Sequence, residues 1–105
     1  MKSLAAPVHL SPEEVEQDRF ARLARAAEER ESTPEKLITD FAPGTFDCHE
    51  ALHTASIVMN LVDELLCEHP AILANPDWYR LASQAHTALY NLYQAISARH
   101  IADDM

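Results

Sequence analysis

The stretch HEALH, residues 49–53, places His49 and His53 one helical turn apart, with Glu50 beside the first. Two imidazoles four positions apart share a helix face and can grip one divalent ion, and a neighbouring glutamate can take a proton from a water on that ion. This is the chemistry of metal-dependent hydrolysis. Such an ion needs a third protein ligand in a sheltered cavity. The next glutamate on that stripe, Glu64, stands eleven residues beyond His53, roughly 16 Å along a helix rising 1.5 Å per residue, too far to share the ion. If the chain turns back near residue 72, the last helix sets Asn91 and Gln94 opposite the histidines, with His86 too low and His100 more than a turn too high. A third ligand then has to come from Asp40, from Asp103 or Asp104, or from another chain. Glu50-x-x-His53 is also half of a di-iron pattern, and no second Glu-x-x-His accompanies it. The expectation is a solvated polar face, with any metal binding at His49 and His53 adventitious, and with no catalytic residues, no cofactor and no enzyme activity. Glu50 is read instead as the closing residue of a capping box opened by Asp47.

Other reactive groups offer less. Ser3, Ser11 and Thr33 have no His and Asp set around them, and neither Cys48 nor Cys67 has a basic activator nearby in sequence. The two cysteines fall in one expected helix, 19 residues and so roughly 28 Å apart, and cannot pair within the chain. The single glycine, Gly44, rules out the glycine-rich loops that cradle phosphates.

The elements that position these residues start at three proline-marked caps. Ser11-Pro12-Glu13-Glu14 opens a helix over about 12–31, Thr33-Pro34-Glu35 a short one over about 34–41, and Asn75-Pro76-Asp77 a last one over about 76–101. Between them, a cap at Thr45 or Asp47 begins a helix of about 46–68 that ends before Pro70, and PAILAN, residues 70–75, reads as a loop. The chain is therefore expected to be all-α, one domain over 1–105, with a flexible N-terminus at 1–10 and a flexible tail at 102–105. The two long helices are expected to form an antiparallel hairpin. Their seams are Cys48, Leu52, Ala55, Met59, Val62 and Leu66 on the first, and Trp78, Ala82, Ala85, Leu89, Leu92 and Ile96 on the second. Ala51, Val58, Leu61 and Leu65 widen the apolar arc of the first to about half its circumference, more than one partner helix can cover. A four-helix bundle formed as a homodimer is the expected cover.

VHLSPEE followed by a helix, and then AAEERESTPEKLITDF, resembles the ribbon-helix-helix regulators and antitoxins over about residues 8–41. The resemblance implies a short strand at Val8–Leu10 that contacts DNA, and a DNA-binding regulator as one reading.

Eight Lys and Arg against seventeen Asp and Glu give a net charge of −9, which repels phosphate backbones and favours basic surfaces. Nucleic acid is therefore disfavoured as a partner. No apolar run is long enough for a signal peptide or a membrane span, so a cytoplasmic protein off the membrane is expected. Tyr79, His86, Tyr90 and Tyr93 line one flank of the last helix, and aromatic side chains with polar tips suit interfaces. These residues, with Val58 and Leu65 on the uncovered arc, are the expected partner-binding set. The leading expectation is a small acidic helical regulator or inhibitor that binds a basic protein; the alternatives are the DNA-binding regulator and a zinc-dependent hydrolase built on HEALH.

Overall fold

The computed structural model describes residues 10–104, with side chains through Ile101. Among these residues the chain is all-helical and contains no strand. Val8 and His9, which carry most of the expected strand, lie outside the described residues, as does most of the expected flexible N-terminus. The chain divides into two compact units, one up to Thr39 and one from Asp40 onward.

In the first unit, α1 (Pro12–Glu29) begins as its sequence dictates. The Ser11 hydroxyl accepts from the Glu14 N–H and the Glu14 carboxylate accepts from the Ser11 N–H, both at 3.2 Å, a reciprocal capping box with Pro12 in the first turn. Exposed ion pairs, Arg19 to Glu16 and Arg22 to Asp18, run along its surface. Its end comes two residues earlier than the expected 31. The Glu31 N–H donates to Glu28 O at 3.0 Å and the Ser32 N–H to Ala27 O at 2.8 Å, with Glu31 at φ 53°. This is the Schellman closure, built on a left-handed glutamate where glycine is the cheap choice. α2 (Pro34–Asp40) follows, with the Thr33 hydroxyl accepting from the Lys36 N–H at 3.2 Å and Leu37 buried.

In the second unit, Thr45 caps α3 (Phe46–Leu61), its hydroxyl accepting from the Cys48 N–H at 3.1 Å. With Thr45 as cap the third helical position is Cys48, so the capping box expected from Asp47 and Glu50 is not the one formed. α3 does not continue as an α-helix to residue 68: Val62–Cys67 is a π-helical turn. The expected loop at 70–75 contains a short helix, α4 (Pro70–Leu73), started by Pro70 and by the His69 Nδ1 accepting from the Ala71 N–H at 3.0 Å. α5 (Pro76–Asp104) is capped by the Asn75 carboxamide, which accepts from the Asp77 and Trp78 N–H groups at 3.1 Å each. It runs through Asp104, so the tail expected from 102 is helical to that point.

α3, the π turn and α4 all pack on α5. The start of α3 lies beside the end of α5, so the two helices run in opposite directions. On α3 the inward positions are those expected as far as Val62: Cys48, Leu52, Ala55, Met59 and Val62 are buried or half-buried. Beyond it Cys67 is buried and Leu66 exposed, the reverse of the expectation. A π turn takes one more residue per turn than an α-helix, so each later side chain arrives at the seam one position late. On α5 the inward set is Ala82, His86, Leu89, Tyr93, Ile96 and His100, again at alternating steps of four and three. Trp78, Ala85 and Leu92, expected in the seam, are exposed. α5 carries two adjacent stripes, and the one with His86, Tyr93 and His100, not the one with Trp78, Ala85 and Leu92, faces α3.

Candidate functional site

The HEALH histidines occupy the first two turns of α3, on an exposed flank away from Leu52 and Met59. With Phe46, Glu50 and Thr54 they line an open recess of about 510 Å³. The hairpin register differs from the expected one. His100, thought to lie more than a turn beyond reach, stands 5.5 Å from His49 between ring centroids, tilted by 41°. The π turn and α4 move the point of reversal from residue 72 to about residue 75, which lowers the end of α5 to the level of the start of α3.

His100 therefore becomes the obvious third ligand, and its hydrogen bonding argues against that role. It is buried, and its Nδ1 accepts from the Gly44 N–H at 2.9 Å. An imidazole that accepts at Nδ1 carries its proton on Nε2. Coordination through Nε2 would need that proton moved to Nδ1, where it would confront the Gly44 N–H. Metal-bound histidines show the opposite polarity, donating from the second nitrogen. Gly44 sits at φ 89°, open to glycine at no cost, and this turn delivers its N–H to the ring. Among the described residues no three His, Cys, Asp or Glu side chains are placed to hold one ion. The observed arrangement ties the 43–45 turn to the end of α5.

The remaining candidates separate into two flanks of the α3/α5 pair. At 100° per residue, the flank bearing His49 and His53 continues along α3 through Asn60, with Glu64 in the π turn beyond it. On α5 the same side shows Tyr79, Ser83, Thr87, Tyr90 and Gln94, with the Gln94 carboxamide donating to the Tyr90 hydroxyl at 2.9 Å. Tyr79 and Tyr90 are exposed, whereas His86 and Tyr93 are half-buried in the seam. The four aromatic and imidazole residues read together in the sequence thus occupy two environments. The opposite flank is apolar. It is formed by Ala51, Val58, Leu61 and Leu66 on α3 and the π turn, with Leu65 at its margin, and by Trp78, Leu81, Ala85, Ala88 and Leu92 on α5, all exposed.

Cys48 is half-buried and Cys67 buried, and both are free thiols. Burial, then the carboxylates of Asp63 and Glu68, push the Cys67 thiol above its ordinary range, which holds it protonated and unreactive. No described helix is long and apolar enough to cross a membrane. No family model, no curated protein and no solved structure matches the chain.

Proposed function

We propose that this chain is a small acidic helical regulator or inhibitor that acts by binding a basic protein, and that it is not an enzyme. The observation that carries the reading is the polar flank of the α3/α5 pair. There Tyr79 and Tyr90 stand exposed on α5, on the side that also shows Asn60 and Glu64, in a chain of net charge −9. Exposed tyrosines supply rigid contact area with a polar tip, and the surrounding negative field speeds encounter with a cationic surface and rejects acidic ones. His49 and His53 lie on the same flank as polar contacts, with metal binding there incidental. Partners of the fitting kind are DNA-binding regulators, nucleases and toxins, whose working surfaces are basic; a bound acidic protein would block them.

The test is capture from the native host with the intact chain as bait. A specific basic protein should be retained at about 0.15 M salt and released as the Debye length shortens towards roughly 0.4 nm near 0.5 M. A Tyr79→Ser, Tyr90→Ser double variant should lose it. Retention of the same partner by that variant would move the contact elsewhere, and the absence of any enriched partner would remove the reading.

A further inference from the structure

We infer that the apolar flank of the α3/α5 pair is the seat of a second copy of this chain, packed as a four-helix bundle. The unit from Asp40 onward is two long helices side by side, and such a pair has too little interior to stand on its own. Its buried residues are Ala55, Cys67, Ala82 and His100, and among the described residues no large side chain is fully buried. Yet Val58, Leu61, Leu66, Trp78, Leu81 and Leu92 stand 40% to 57% exposed on one flank. At roughly 90 Å² apiece these six offer about 550 Å², and the alanines between them bring the flank towards the ~800 Å² per partner of a stable interface.

Three properties of the flank select a copy of the chain over another occupant. It carries no charge across its middle, so two copies of a chain of net charge −9 can meet there without setting like charges face to face. A basic partner would gain no ion pair from its middle, which carries no acid, and Tyr79 and Tyr90 lie on the other side. The cover is also needed by the fold itself, and a second copy is present whenever the chain is. The symmetric solution puts each helix pair on the other by the same patch, the isologous arrangement of most soluble homodimers. Trp78, the only tryptophan in the chain, is then buried in the interface. The polar flanks remain outside, one on each side of the bundle.

The experiment uses the intact chain and two readouts, sedimentation mass and the emission of Trp78. At roughly 10 µM, a concentration above the micromolar range where weak dimers dissociate, the mass should be twice that of one chain. Trp78 should emit at short wavelength and resist acrylamide, and both readings should revert together on dilution. Raising salt should leave the dimer intact or tighten it, because screening relieves repulsion between two acidic chains. Leu81→Glu and Leu92→Glu should each yield monomers with an exposed Trp78, and Gln94→Glu on the other flank should remain dimeric. Should the two glutamate variants fail to fold, dilution of the native chain reads the same equilibrium. A monomer at all concentrations overturns the inference, whether Trp78 is exposed or is shielded by the chain's own N-terminal helices. A dimer that salt dissociates also overturns it, because the contact would then be ionic. The opposite salt responses keep this result separate from the capture of a basic partner.

Discussion

Three positions show how single residues set this structure. Glu31 holds the left-handed turn between α1 and α2 at φ 53°, a conformation that costs an ordinary residue about 1 kcal/mol and glycine almost nothing. Glu31→Gly should therefore raise stability by up to about 1 kcal/mol, read as a higher urea midpoint with an unchanged slope. His100 fastens the Gly44 turn to α5. His100→Leu should leave the Gly44 N–H without its partner and cost about 2 kcal/mol, with faster exchange of the Gly44 amide as the local signature. Burial, and then the nearby carboxylates of Asp63 and Glu68, raise the pKa of Cys67. A raised thiol pKa favours the folded state while the thiol is protonated. That contribution is present through neutral pH and is lost as pH climbs past the raised value. Alkylation at mildly alkaline pH should label Cys48 first, with Cys67 following only on unfolding; equal rates would contradict its placement.

At the scale of elements, caps were legible and registers were not. Ser11, Thr33 and Asn75 each announce a helix start by a short polar side chain before proline, because the chemistry that satisfies a free N–H is local. The place of HEALH on the exposed, polar side of α3 was legible, since that needs only the periodicity of one helix. The π turn at Val62–Cys67 was not legible: VDELLC has the composition of any α-helix, and nothing local in it marks the extra residue of a turn that packs against α5. From that single insertion follow the replacement of Leu66 by Cys67 in the seam and part of the shift that brings His100 to His49. The α5 seam departs from the sequence pattern for a different reason. Hydrophobicity marks Trp78, Ala85 and Leu92 as inward, but His86 and Tyr93 are half-buried in the seam while Trp78, Ala85 and Leu92 stand exposed. Deleting Glu64 from the π turn should restore an uninterrupted α-helix with Cys67 still at the seam. Circular dichroism and the thermal midpoint should show helix content and stability retained, and loss of folding would show that the turn is required.

At the scale of the whole molecule, the account assigns different work to the two flanks of one helix pair. Under the proposed assignment the apolar flank joins copies and the polar flank meets a basic partner, so a dimer would present two equivalent polar flanks and could engage a dimeric target twice. The most direct test of this assignment is capture of the basic partner by two variants side by side. Tyr79→Ser with Tyr90→Ser should remain dimeric and lose the partner, whereas Leu81→Glu, at concentrations where it is folded and monomeric, should keep a weakened hold on it. Loss of the partner by Leu81→Glu alone, with the tyrosine variant binding as before, would contradict the account.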